Sequence, residues 1–125
     1  MGNTITETRS ILIIDDEHLI REILREALES VGFSVVTAPN GKDGLAQMNH
    51  PPALSLILLD LMMPTMGGRE FLDFILNHKL LSLVPVVVIS AMADATNSLG
   101  AKAFLRKPVD LDKILNLVSL HALPV

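Results

Sequence analysis

The sequence predicts an α/β domain in which five parallel strands each lead into a helix, a (βα)5 doubly wound sheet covered on both faces. Two observations carry this. Short apolar runs alternate along the whole chain with stretches whose apolar residues recur at helical spacing. The apolar runs are hydrophobic throughout rather than at every second position, which is the pattern of strands buried on both faces. Right-handed crossovers between parallel strands place the helices there.

Taken in order, SILIID (Ser10 to Asp15) reads as the first strand. Leu19, Ile20, Ile23, Leu24, Ala27, Leu28 and Val31 then keep helical spacing until Gly32 ends the helix. FSVVTA (Phe33 to Ala38) is the second strand. Asn40 can cap a short helix carrying Leu45 and Met48, and Pro51-Pro52 separate it from the third strand, LSLILL (Leu54 to Leu59). A third helix begins near Gly68 and sets Phe71, Leu72, Ile75 and Leu76 on one face. VPVVVIS (Val84 to Ser90) is the fourth strand, a small helical piece ends at Leu99-Gly100, and KAFL (Lys102 to Leu105) is the fifth strand. Asp110 opens the last helix, with Leu111, Ile114, Leu115 and Val118.

A chain of 125 residues is expected to form one domain, burying about two thirds of the surface its unfolded form exposes. Half the residues are hydrophobic, yet no run reaches the roughly eighteen apolar residues of a membrane helix. The longest, LLSLVPVVVISAMA, is broken by Ser82, Pro85 and Ser90. The first ten residues lack a basic segment followed by a long apolar one, so no secretory signal is read. The absence of cysteine excludes disulfides, thiolate metal sites and a cysteine nucleophile. A net charge of −4 leaves no basic excess to displace phosphate counterions, so direct nucleic-acid binding is not expected. His18, His50, His78 and His121 are too scattered to read as a metal site. The expectation is a soluble, cytoplasmic protein.

In an open parallel sheet the site lies outside the carboxyl ends of the strands. Here strand one ends in Asp15-Asp16-Glu17, strand three in Asp60, strand four in Ser90, and Lys107 follows strand five. Taken singly these have ordinary readings: an aspartate after a strand is often a helix cap, a lysine is usually solvated, a serine often completes a turn. Taken together they do not. Two carboxylates about 4 Å apart repel by about 4 kcal/mol at an effective dielectric of 20, so a cluster needs a cation. Mg²⁺, a hard ion bound by oxygen, is the natural one. An acidic Mg²⁺ pocket with one lysine and one hydroxyl suits phosphoryl transfer, with Asp60 as nucleophile and Lys107 and Ser90 neutralising the equatorial oxygens.

With these residues in view, the chain resembles the response-regulator receiver domains of two-component signalling over about residues 9 to 121. The resemblance is carried by Asp15-Asp16, Asp60 in LLDLMMP, Gly68, Ser90-Ala91 and FLRKP from Phe104 to Pro108. It implies a flavodoxin-like sheet of strand order 2-1-3-4-5. It also implies phosphorylation of Asp60 from a histidine kinase or phosphotransfer protein, so that the domain catalyses its own phosphorylation and dephosphorylation without being a conventional enzyme. Asp16, Asp60 and the carbonyl of Met62 would bind Mg²⁺ directly and Asp15 through a coordinated water. Lys107 would contact the phosphoryl group, with Lys107-Pro108 cis, while Ser90 and Phe104 would form a coupled switch. Methionines at Met62 and Met92, positions that influence the attacking water in this family, imply a long-lived phosphoryl group.

Two other readings remain: a degenerate receiver that binds partners without phosphate, and an unrelated Mg²⁺-dependent phosphatase. The intact residue set argues against the first. Against the second, Met62 stands where such phosphatases usually carry an acid/base aspartate two residues after the nucleophile. Positions 91 to 106 are sixteen residues, fewer than is usual between the matching serine and lysine of the family. Setting aside loop and strand, they leave roughly seven residues for the fourth helix, about two turns, which Asp94 could cap. With that face shortened, and Ala103 where related regulators often carry an acidic residue, a monomer is expected. The chain is read as a stand-alone receiver or a piece of a larger regulator, its downstream target unknown.

Overall fold

The computed structural model describes residues 9–48, 53–63, 66–79, 81–91 and 100–124. The elements are β1 (Ser10–Ile14), α1 (His18–Ser30), β2 (Ser34–Ala38), α2 (Gly41–Met48), β3 (Leu54–Asp60) and α3 (Gly68–Leu76). A 3-10 turn (Leu81–Leu83), β4 (Val86–Ser90), β5 (Ala103–Arg106) and α4 (Leu111–His121) complete them. The sheet is parallel, in the order β2-β1-β3-β4-β5. This is the order the resemblance implied, and α4 is the last helix of the sequence reading.

Alternate strand residues face opposite layers. Ile11, Ile13, Leu56, Leu58, Val87 and Ile89 pack with Leu24 and Leu28 of α1 and Ile114 and Val118 of α4. Leu12, Ile14, Ile57, Leu59, Val86 and Val88 pack with Phe71, Leu72 and Ile75 of α3, and Leu45 and Met48 of α2 join them. The continuous apolar runs thus become two cores separated by one sheet. Each fully buried aliphatic side chain contributes about 1.5–3 kcal/mol relative to exposure.

Several boundaries differ from the sequence reading. β1 stops at Ile14, because the Asp15 side chain turns to the carboxyl-end pocket while its N–H still donates to the Ala38 carbonyl at 3.1 Å. Phe33 precedes β2, β4 starts after Pro85, and β5 lies one residue later, taking in Arg106. β3 runs one residue further and contains Asp60. Leu19, 69% exposed, and the less exposed Ile23, Leu76 and Leu111 leave the buried faces on which periodicity placed them. The helical piece between β4 and β5, with Met92, Asp94 and Leu99, lies outside the described residues, as do Pro51, Pro52 and Pro64.

Local chemistry sets the ends that matter. Gly32, at φ 98°, takes the left-handed conformation that closes α1. Asn40 Oδ1 accepts from the Asp43 N–H at 2.8 Å and Asp110 Oδ1 from the Lys113 N–H at 3.3 Å, so both expected caps form. The Lys107-Pro108 peptide is cis. Gly68 opens α3 with its N–H on the Leu61 carbonyl at 3.0 Å, and a Cβ there would collide with the backbone of Asp60 and Leu61.

Backbone cannot yield as a flexible side chain can, so Gly68→Ala should lose about 1–3 kcal/mol or more in urea unfolding. Gly67→Ala, whose Cβ would find ordinary contacts at 3.7 Å, should lose less than about 1 kcal/mol.

Candidate functional site

The carboxyl ends of β1, β3, β4 and β5 form one edge, and the fold brings the ionisable residues there together. Asp60 closes β3 and is 3% exposed. Its Oδ1 accepts from the Met62 N–H at 3.1 Å, which fixes the carboxylate at the start of the β3–α3 loop. Asp15, just past β1, is also buried. Its Oδ1 accepts from the Glu17 N–H at 2.9 Å and its carbonyl from Arg21 Nη1 at 2.8 Å. Asp16 is exposed. Oxygens of Asp15, Asp16 and Asp60 all lie within 4.8 Å of one another, a donor set suited to a hard cation.

Lys107 reaches this group from β5. Its N–H donates to the Ser90 carbonyl at 2.8 Å, continuing the β4–β5 ladder one residue past the strand. Its Nζ lies 3.0 Å from Glu17 Oε1, 3.1 Å from Asp15 Oδ2 and 3.5 Å from Asp60 Oδ2. Burial alone would lower the lysine's affinity for its proton. The hydrogen bonds to Glu17 and Asp15, with the charges of Asp15 and Asp60, reverse this and hold the ammonium well above its ordinary range.

For Asp60 the balance goes the other way. Burial is the largest influence and pushes its carboxyl up from 3.8 to about 6. The Met62 N–H and the Lys107 charge oppose the rise, and the charges of Asp15 and Asp16 add to it. The Lys107 ammonium lies nearer Glu17 and Asp15, so it does not offset the burial of Asp60.

Apart from Met92, which lies outside the described residues, each site residue singled out in the sequence has a definite place. Asp15, Asp16, Asp60 and Lys107 converge. Ser90 is buried at the end of β4, beside them through its carbonyl. Phe104 is half-buried in β5 and packs on the α2/α3 core. Met62 is 59% exposed at the rim, and its amide is what meets Asp60. Neither Asp15 nor Asp16 caps α1: the N-cap is Glu17, without a side-chain capping bond. Sequence reasoning gave Glu17 no partner. The signal available was a glutamate where a capping aspartate or serine is preferred.

A buried carboxylate at the end of a central strand, with acids and a lysine beside it on a 2-1-3-4-5 parallel sheet, defines a class of α/β modules with an acidic pocket at the carboxyl edge. The family model for the response regulator receiver domain matches residues 11–119. The chain is 34% identical to the transcriptional regulatory protein CrdR of Helicobacter pylori, over 85% of this chain and 51% of that protein. It is 30% identical to protein PilG of Pseudomonas aeruginosa, over 89% of this chain and 85% of that one. Among solved structures, a response regulator receiver protein from Pseudomonas putida superposes with a TM-score of 0.84 at 27% identity, covering 93% of this chain and 99% of that chain. The response regulator TrrA of Thermotoga maritima, solved in complex with Mg²⁺-BeF, gives 0.80 at 28%, covering 90% and 98%. The chain belongs to the response-regulator receiver family of two-component systems. It spans about half the length of the transcriptional regulators it matches.

The raised carboxyl of Asp60 has a measurable sign. The folded state holds this proton more tightly than the unfolded chain, so between about pH 4 and pH 6 stability falls as pH rises, and above that window a cost of about 2–3 kcal/mol is fully present. Without divalent cations, Asp60→Asn should be more stable than the parent at about pH 7.5 by about 1–3 kcal/mol, a gain that disappears near pH 4. Urea titrations across that range check both the sign and the window.

Proposed function

We propose that Asp60 is the phosphoacceptor of a two-component phosphorelay, taking its phosphoryl group from a phosphohistidine of a sensor histidine kinase or histidine phosphotransfer protein. The observation that carries this reading is the convergence of a buried Asp60 with Asp15, Asp16 and Lys107 on one sheet edge. Residues 1–125 act as one receiver unit, in the cytoplasm and as a monomer, upstream of a protein target of unknown identity.

The donor set fits Mg²⁺: oxygen ligands from clustered carboxylates, with a single neighbouring ammonium drawn mostly to two of the acids. Asp15, Asp16, Asp60 and the Met62 carbonyl would hold the ion, Asp15 through a water, and the ion would supply positive charge to the phosphoryl oxygens. An Asp60 carboxylate oxygen attacks phosphorus as the P–N bond to the donor imidazole breaks, and the ring leaves with the bonding pair and takes a proton from solvent. Lys107 and the Ser90 hydroxyl neutralise charge on the equatorial oxygens. Ser90 then turns toward the phosphoryl group, and Phe104, half-buried beside β4, moves into the space released.

A cleft of about 200 Å³ between α1 and the segment leading into α4, lined by Ile20, Ile23, Leu24, Val109 and Leu111, offers the donor an apolar seat. It flanks α1, the helix that starts at the acidic pocket and carries the exposed Leu19.

Incubation with acetyl phosphate and Mg²⁺ should add one phosphoryl group by intact-mass measurement, and none in Asp60→Ala or with a chelator present. An unchanged mass in the parent, or continued addition in Asp60→Ala, would overturn the assignment.

Met62 sets a second expectation. Its exposed thioether stands at the rim of the pocket and orients water poorly. Met62→Asn, able to hydrogen-bond an attacking water, should shorten the phosphoryl lifetime by about threefold or more, the rate equivalent of one modest hydrogen bond. Equal or slower decay in that variant would remove Met62 from the account.

A further inference from the structure

Glu17 breaks a local rule. It occupies the N-cap of α1, where a short polar side chain would satisfy a free N–H, yet its carboxylate makes no capping bond. The carboxylate lies instead 3.0 Å from Lys107 Nζ, ninety positions along the chain. Its own N–H meanwhile fixes Asp15 Oδ1, while Asp15 Oδ2 holds the same ammonium. Lys107 is thus gripped from the β1 side at 3.0 and 3.1 Å and stands 3.5 Å from Asp60.

We propose that Glu17 is a positioning residue that holds Lys107 on the β1 side of the pocket and competes with an anion on Asp60 for its ammonium. The inference rests on the phosphoacceptor reading and adds to it a residue that sets how readily the lysine turns. Of the two acids gripping Lys107 from β1, Asp15 is buried, so releasing the lysine would strand its charge away from water. The Glu17 side chain is 58% exposed and loses little on release. A freed Glu17 carboxylate also sits at the N-terminus of α1, where the helix dipole favours an anion. Glu17 is therefore the partner Lys107 gives up when a doubly charged phosphoryl group arrives. Its carboxylate makes the resting pocket less ready for such an anion.

Beryllofluoride with saturating Mg²⁺ is the probe. At low salt E17Q should bind it about two- to fivefold more tightly than the parent, the range set by one partly exposed ion pair. E17D keeps the charge but is one methylene short of Lys107, so it should follow E17Q. Added salt should narrow the difference, because an exposed pair is screened. A second readout needs no phosphate analogue. In competitive acetylation by acetic anhydride, Lys107 should react faster in E17Q and E17D, with Lys42 and Lys113 unchanged. Equal or weaker beryllofluoride binding in E17Q, E17D behaving as the parent, or Lys107 acetylated at the parent rate would each overturn the proposal. A parent protein that takes neither beryllofluoride nor phosphate overturns the phosphoacceptor reading instead, and the acetylation result still decides the Glu17–Lys107 contact.

Discussion

The Lys107 ammonium is the charge around which the carboxyl edge of the sheet is organised. Asp15, Asp16 and Asp60 arrive from two adjacent strands with oxygens inside 4.8 Å of one another, and Glu17 adds a further acid. At an effective dielectric of 20 each close pair repels by about 4 kcal/mol, so the cluster depends on cationic compensation. Lys107 supplies it from β5, which is not adjacent to β1 or β3: β4 lies between. Only a long side chain can cross the end of β4, and the anchor for that crossing is backbone, the Lys107 N–H on the Ser90 carbonyl. The flexible four-carbon stem of lysine suits this reach, and its compact charge can be shared among carboxylates at different angles. Strand order and electrostatics are therefore one constraint. Changing the neighbour of β4 would remove the cation.

A second constraint holds Asp60 still. α3 begins eight residues after Asp60, and Gly68 lets its first turn lie directly against the Asp60 and Leu61 backbone. Met66, in the left-handed region at φ 46°, turns the intervening loop so that its carbonyl accepts from the Gly41 N–H at 3.1 Å, tying the loop to the start of α2. A non-glycine residue in that conformation carries a small strain that the surrounding packing must offset. The result is a loop tied to α2 and α3 that presents the Met62 N–H to the Asp60 carboxylate, at a place where burial opposes its charge.

Most of this architecture was legible because it is written in periodicity and strand ends. Continuous apolar runs specify strands buried on both faces, and the two alternating sets, such as Ile11 and Ile13 against Leu12 and Ile14, separate into the two cores without exception in β1. The convergence of Asp15, Asp16, Asp60 and Lys107 was legible because a parallel sheet forces its carboxyl ends to one side. Three things were not. Strand limits shifted by a residue or two, because backbone pairing continues or stops according to side-chain partners such as the Asp15 carboxylate. Leu19 and Ile23 fit the helical period but not the width of the face that the sheet can cover. The partner of Glu17 escaped because nothing local reveals a residue ninety positions away; only the folded sheet brings the Lys107 side chain from the end of β5 within reach of the start of α1.

Energetically the edge is a region where the fold gives up stability. Asp60 is charged at neutral pH at a cost that a neutral residue of the same shape would avoid, and α1 starts without the cap its sequence position invites. Both departures lie at the same edge and both concern charge, whereas the two cores are apolar and follow local preference closely. Such a division is what a binding edge on a rigid scaffold requires. The strands hold the acids at fixed spacing, and the unresolved negative charge of the pocket remains as free energy that an arriving cation or a rearranged lysine can release. Of the acids that hold Lys107, Glu17 is the exposed one, whose contact can break without stranding a charge in the interior. Adjustability therefore enters the pocket through the helix start rather than through the sheet.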